Sequence, residues 1–183
     1  STTDTIYGDV ANSKVGIGTT SPQEALHVDG RINLSATNNA ANKKYILIGT
    51  ELPNSLFNGA VGIGERVFQN STTSGFAVAI GREASQNASG NRNVAIGCHA
   101  IRGASGSTGA FNVGVGAQTM ISLTDGQYNT AVGQSAASSL TSGEWNVSLG
   151  AFAGHHSTTT SRSTYVGSQS GYQTSGGNNV AVG

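Results

Sequence analysis

The side chains able to do chemistry are few and scattered. Nine acids, Asp4, Asp9, Glu24, Asp29, Glu51, Glu65, Glu83, Asp125 and Glu144, are spread over 183 residues. Cleavage of a polysaccharide needs two carboxylates at a workable separation, and these acids do not cluster in equivalent positions of neighbouring segments. No G-x-S-x-G nucleophile motif occurs with a histidine and an acid to complete it. Paired glycines such as Gly16/Gly18, Gly62/Gly64 and Gly114/Gly116 lack the third glycine and the helix of a dinucleotide loop. Calcium-binding nonapeptide repeats need an aspartate in each turn, and it is missing. Cys98 is the single cysteine, so no intrachain disulfide can form, and it reads as a small packing or surface residue. His155-His156 follows Gly154. Three copies of that pair around a symmetry axis would offer metal ligands, but no cysteine or acid lies near, and exposed turn histidines are the commoner outcome. The chain reads as a non-enzyme without cofactor or metal.

Composition points the same way. Nine basic residues balance nine acidic ones, which argues against a nucleic-acid footprint or attraction to anionic lipid and leaves neutral partners such as glycans. Glycine (27 residues) is about twice its usual share, and charge (10%) is far below it. After Arg102 the only charged residues are Asp125, Glu144 and Arg162. With two prolines and a strict apolar period, the chain does not have the composition of a disordered segment. No apolar run is long enough for a membrane helix, and no signal peptide precedes Ser1. The missing initiator methionine, and a last residue that completes a motif, suggest a piece of something longer.

The elements that must carry all this are repeats. Asn93-Val94-Ala95-Ile96-Gly97, Asn112-Val113-Gly114-Val115-Gly116, Asn146-Val147-Ser148-Leu149-Gly150 and Asn179-Val180-Ala181-Val182-Gly183 are copies of one unit. Anchored on its closing glycine, the series runs Gly49, Gly64, Gly81, Gly97, Gly116, Gly133, Gly150, Gly167, Gly183, in steps of 15, 17, 16, 19, 17, 17, 17 and 16 residues. A period near 17 means one stacked rung per repeat.

Positions are numbered here from that glycine. Side chains alternate between faces of a strand, so −3 and −1 share one. Val61, Ile63, Val78, Ile80, Val94, Ile96, Val113, Val115, Val132, Val147, Leu149, Val166, Val180 and Val182 therefore form an apolar ladder, read as the structural core. The residue between is small, as in Ala79, Ala95, Ala131 and Ala181, with Tyr165 the exception, and this face is read as the packing surface for a neighbouring chain. Small residues at +3 (Ala84, Ala100, Thr119, Ala136, Ala153, Ser170) suit a second short strand. Glycine at −7 (Gly90, Gly109, Gly126, Gly143, Gly176) suits a turn with positive φ. Asparagine at −4 (Asn93, Asn112, Asn129, Asn146, Asn179) either forms an amide ladder or bonds its own turn. One turn of helix is conceivable near Pro22-Gln23-Glu24-Ala25.

Two sites stand out for recognition. Phe111, Tyr128 and Trp145 all occupy −5, whose parity points them to the ladder as caps of the core, with a sugar-stacking platform as the second use of Trp145. The 19-residue step inserts Ile101 to Thr108 as a projecting loop, so Ile101, Arg102, Ser105 and Ser107 join Trp145 as candidate contact residues.

The N-V-A-[I/V]-G unit with its following small residue resembles the head repeats of trimeric autotransporter adhesins. That resemblance implies a left-handed parallel β-roll in which three chains pack around a common axis. Val15-Gly16-Ile17-Gly18-Thr19-Thr20-Ser21-Pro22, followed by Ala25-Leu26-His27-Val28-Asp29-Gly30, resembles a connector common in bacteriophage tail fibres and in fibre-like surface proteins of bacteria, including predatory species. The expectation is an all-β repeat solenoid: a parallel β-roll of eight or nine rungs over residues 45–183, led by a connector over 1–44, assembled as a parallel homotrimer. At about 4.8 Å per rung it is a rod about 40 Å long. The implied role is attachment of a virion or a bacterium, at the tail fibre or cell surface, to a glycan or protein receptor. The alternative of another class is a monomeric solenoid binding ice or a polymer along a flat face, which would need regular outward threonines or aromatics.

Overall fold

A computed structural model describes residues 6–9, 11–17, 19–28, 45–49, 59–72 and 74–183. The chain divides into two compact units, Ser1–Ser35 and Ala36–Gly183. In the first, β1 (Ile6–Asp9) pairs antiparallel with β2 (Lys14–Ile17), which pairs parallel with β3 (Leu26–Val28). Lys14 Nζ donates to the Gln23 carbonyl at 2.8 Å, tying the crossover to the hairpin. The segment Pro22–Ala25 is a bend, not a turn of helix, because its carbonyls are spent elsewhere: Val15 N donates to that of Ala25, and Lys14 Nζ to those of Pro22 and Gln23.

The second unit is a parallel β-solenoid. Its strands are β4 (Tyr45–Ile48), β5 (Ala60–Ile63), β6 (Val78–Ile80), β7 (Val94–Ile96), β8 (Val113–Val115), β9 (Thr130–Val132), β10 (Val147–Leu149), β11 (Thr164–Val166) and β12 (Val180–Val182). They stack in sequence order as one nine-stranded parallel sheet, with seven full turns between β5 and β12. Strand register equals repeat register: Val94, Ala95 and Ile96 pair with Val113, Gly114 and Val115, and the same holds at every step.

Anchor glycines are required twice over. From Gly64 to Gly150 their φ is +123° to +135°, and a Cβ on any of them would lie 2.5–2.8 Å from the main chain of the next anchor. Of the glycines at −7, Gly176 has the expected positive φ of 76°, but the other four do a different job from the one their type suggests. Gly90, Gly109, Gly126 and Gly143 do not have positive φ. They are glycine because the rungs touch there: a Cβ on Gly126 would stand 2.6 Å from the Gly143 carbonyl.

Opposite the strand wall runs a wall of stacked turns, where a second strand is expected at +3. Residues +2 and +4 are left-handed in every rung from the one anchored at Gly64 to that at Gly167, for example His99 (φ 60°) and Ile101 (φ 42°). The amide of +2 bonds the previous rung (His99 N to Arg82 O, 2.9 Å) and that of +4 bonds the next (Ile101 N to Thr119 O, 2.9 Å). Each such conformation costs an L-residue about 1–2 kcal/mol, and the rung-to-rung hydrogen bonds offset it.

The interior lies between these walls and is thin. Position −2 is the inward side of the strand: Ala79, Ala95 and Ala131 are 0% exposed. They pack with Val67, Phe68, Ile101, Met120, Leu123 and Leu140. This reverses the expected orientation. Ala79, Ala95 and Ala131 are core of the single chain, not a surface for a neighbour, because side chains from the turn wall fill the space above them. Ala181, in the last strand, is half-buried.

Asn93, Asn112, Asn129 and Asn146 form the ladder that position −4 allows. Asn112 Oδ1 accepts from Asn129 N and Asn129 Nδ2, both at 3.0 Å, and Asn129 Nδ2 also donates to the Gly143 carbonyl at 2.8 Å. Each buried amide is thus satisfied by the rungs above and below. Ser163 replaces asparagine in the next rung and takes up Asn146 Oδ1 through its amide at 3.0 Å.

Candidate functional site

The outward side of the strand wall carries the ladder read as core. Ile63, Ile80, Ile96, Val132, Leu149 and Val166 are 36–39% exposed, and the −3 residues Val61, Val78, Val94, Val113 and Val147 are half-buried. Val180 and Val182, at the end of the stack, are more than three-quarters exposed. None of these side chains belongs to the interior, which the turn wall fills. From rung 64 to rung 183, positions −3 and −1 hold no charge, and their only polar residues are Thr130 and Thr164.

Position −5 adds a third outward column. Gly59, Phe76, Arg92, Phe111, Tyr128, Trp145, Arg162 and Asn178 all have φ between +55° and +70°. A left-handed residue here lets −4 point inward while −5 points out, so counting back by twos from −1 gives the wrong side. Phe111, Tyr128 and Trp145 do not cap the core. Phe111 stacks on Tyr128 at 4.8 Å between centroids, and Tyr128 on Trp145 at 4.1 Å and 8°. The Arg92 guanidinium lies between two rings, 5.6 Å from Phe76 and 5.2 Å from Phe111. The amides of this column bond the preceding rung, as where Trp145 N donates to Gln127 O at 3.1 Å.

No family model, curated protein or solved structure matches the chain.

Stacking decides what the aromatic column can do. Sugar platforms use a ring face, and both faces of Tyr128 are covered by Phe111 and Trp145. What the column offers outward is ring edges, a continuation of the apolar face. Trp145 is 54% exposed.

The insertion after Gly97 projects less than its length suggests. Ile101 is fully buried in the core and Ser107 is 2% exposed, so neither is a contact residue. Ser107 N bonds Ala104 O at 3.0 Å, and its carbonyl accepts from Ser89 N at 2.8 Å, closing a tight turn. Only Ala104, Ser105 and Gly106, with Thr108, are exposed there.

Arg102 turns instead to an ion cluster spanning three rungs. The Glu83 carboxylate is met by Arg82 Nη1 at 3.5 Å, Arg66 Nη1 at 3.6 Å, Arg102 Nη1 at 3.7 Å and His99 Nε2 at 3.2 Å. Arg66 also pairs with Glu65 at 2.8 Å. Cys98 Sγ accepts from Arg82 Nη2 at 3.5 Å. Glu83 is thereby occupied as a counterion.

His155 and His156 stand edge to face at 4.3 Å, and His155 stacks on Tyr172 at 5.2 Å. Burial, with a smaller push from His156, holds the His155 imidazole below its ordinary pKa. Among the described residues no three His, Cys, Asp or Glu side chains are grouped to hold a metal. The pair also sits on the turn wall, away from the strand face.

Proposed function

We propose that this chain is a non-enzymatic segment of a parallel homotrimeric fibre, in which the strand walls of three copies face a common axis and the assembly attaches a virion or bacterium to a glycan-bearing cell surface. The observation that carries the reading is the outward face of positions −5, −3 and −1, uncharged at −3 and −1 and carrying charge at −5 only at Arg92 and Arg162. Over eight rungs it measures about 40 Å by 13 Å, or about 500 Å² of flat footprint before side-chain relief. That is at the upper end of what monomers leave exposed, about 300–600 Å². It also approaches the ~800 Å² per partner of a stable interface. In-register repeats favour a parallel arrangement, since copies related by rotation about the stacking axis match rung for rung.

A catalytic role has little support: Glu83 is engaged by three arginines and the His99 ring, Glu65 is held in the same cluster through Arg66, and Asp125 and Glu144 lie in other rungs. The flat-face alternative wants regular outward threonines or aromatics; this face carries only Thr130 and Thr164, and its aromatic column at −5 is interrupted by Gly59, Arg92, Arg162 and Asn178. Attachment is tested by measuring binding of the fluorescently labelled chain to a panel of bacterial cells before and after periodate oxidation of surface sugars. Binding lost on oxidation supports a glycan receptor, and binding unchanged by oxidation, or none, contradicts it.

A further inference from the structure

Two columns mark the corners of the strand wall. The left-handed residue at −5 is where the chain turns into the wall, and the anchor glycine with +1 is where it turns out. In a cyclic assembly whose walls face a common axis, the walls form the sides of a closed figure. The −5 corner of each copy must then meet the +1 corner of the next, at the same height, because pure rotation leaves height unchanged.

The two columns suit each other. In rungs 116, 133 and 150, −5 is Phe111, Tyr128 and Trp145, while +1 is Ala117, Gln134 and Ala151, with no charge among them. The aromatic edges are exposed, Ala117 and Gln134 are exposed and Ala151 is half-buried. In rung 97 the pair is Arg92 and Cys98. The geometry points to a heterologous contact in which the aromatic–arginine column of one copy packs on the +1 column of the next, closing a threefold ring. This rests on the trimer reading above and adds which surfaces touch. It also makes Trp145 an interface residue, not a receptor contact.

Cys98 supplies the test. Within one chain Arg92 and Cys98 are separated by six residues of largely extended wall, roughly 20 Å, beyond the reach of a short bismaleimide. Full-length Arg92→Cys, treated with that reagent at saturation, is expected to give a covalent three-chain species on a denaturing gel. Wild type, with Cys98 alone, gives none, and neither does Tyr128→Cys, two rungs away from Cys98. Circular dichroism checks that each variant folds, and Phe111→Cys/Ala117→Cys/Cys98→Ser tests the same contact should Arg92→Cys misfold. A native mass of three chains with no crosslink from the folded same-rung pair overturns this contact while leaving the trimer standing. Products that stop at two chains, or equal crosslinking from Tyr128→Cys, overturn it too. A native mass of one chain overturns the trimer reading itself.

Discussion

Tyr165 and Gly171 share one site in the interior: a Cβ on Gly171 would run into the Tyr165 ring, and Gly154, one rung below, leaves room on its other side, where a Cβ would come within 2.8 Å. Elsewhere the exchange runs the other way. Gly62 lies under Phe68, where a Cβ would reach the ring at 3.3 Å, and Gly114 lies under Ile101 at 2.8 Å. At these sites, position −2 on the strand and +4 on the turn wall trade volume. Gly171→Ala is expected to cost about 2–4 kcal/mol from overpacking and its left-handed φ of 60°. In a double-mutant cycle with Tyr165→Ala the two costs should fail to add. Urea titration of the four proteins reads the coupling, and strict additivity would show that the two positions do not share space.

The asparagine ladder is a second testable core feature. Asn129→Ala strands Asn146 N, which donates to Asn129 Oδ1 at 3.0 Å, and the Gly143 carbonyl, which accepts from Asn129 Nδ2 at 2.8 Å, while Asn112 Oδ1 keeps the main-chain amide of residue 129. Stranding buried polar groups costs about 1–3 kcal/mol each. Replacing the exposed Asn91 by alanine should cost less than about 0.5 kcal/mol. Equal shifts in urea midpoint would contradict the ladder.

Glycines separate strain from crowding. Gly116 (φ 132°) has the Gly133 carbonyl 2.7 Å from where a Cβ would sit, whereas Gly106 (φ 78°) has open space. Gly106→Ala should cost only the left-handed term, about 1–2 kcal/mol. Gly116→Ala should prevent folding or cost far more, and thermal melts rank the two.

Below neutral pH the roll should lose stability through His155. Its imidazole is held below the ordinary value near 6.5 by burial and by His156. The unfolded chain therefore binds a proton that the folded chain resists. The stability present above pH ~6.5 is lost as pH falls toward the depressed folded pKa, since stability rises with pH wherever the unfolded state holds more protons. Melting temperature should drop between pH 7 and pH 5, and His155→Gln should flatten that drop; an equal drop in the variant would assign it to other groups.

Much of this molecule was legible in the repeat. The anchor glycines, the strand register and the −4 asparagines all sit where their spacing puts them, because rung-to-rung bonding forces equivalent residues into line. Which side of the strand faces inward was not legible. Alternation says that Val94 and Ile96 differ in side from Ala95 but not which side is inside. That depends on the volume filled from the other wall by Phe68, Ile101 and Met120, and the turn wall carries no period-2 signal. The aromatic column was misplaced for a related reason: left-handed residues at −5 break the alternation on which parity counting rests. Ile101 falls inside the long step between anchors yet lies in the core, since the extra length is absorbed around Ala104–Gly106.

The inverted orientation predicts opposite fates for adjacent residues. Ala95→Glu places a charge in the interior of the roll and should abolish folding. Ile96→Glu, one residue on and 36% exposed, should leave the circular dichroism spectrum intact while abolishing assembly. A folded Ala95→Glu, or an Ile96→Glu that assembles like wild type, would contradict the assignment of the two faces.

Absolute mass by light scattering on a gel-filtration column, over a wide range of loading concentrations, tests the central claim most directly. The account predicts a mass near three times the 18.4 kDa chain, unchanged on dilution. A well-folded species at 18.4 kDa that stays a single chain even at high concentration would contradict it.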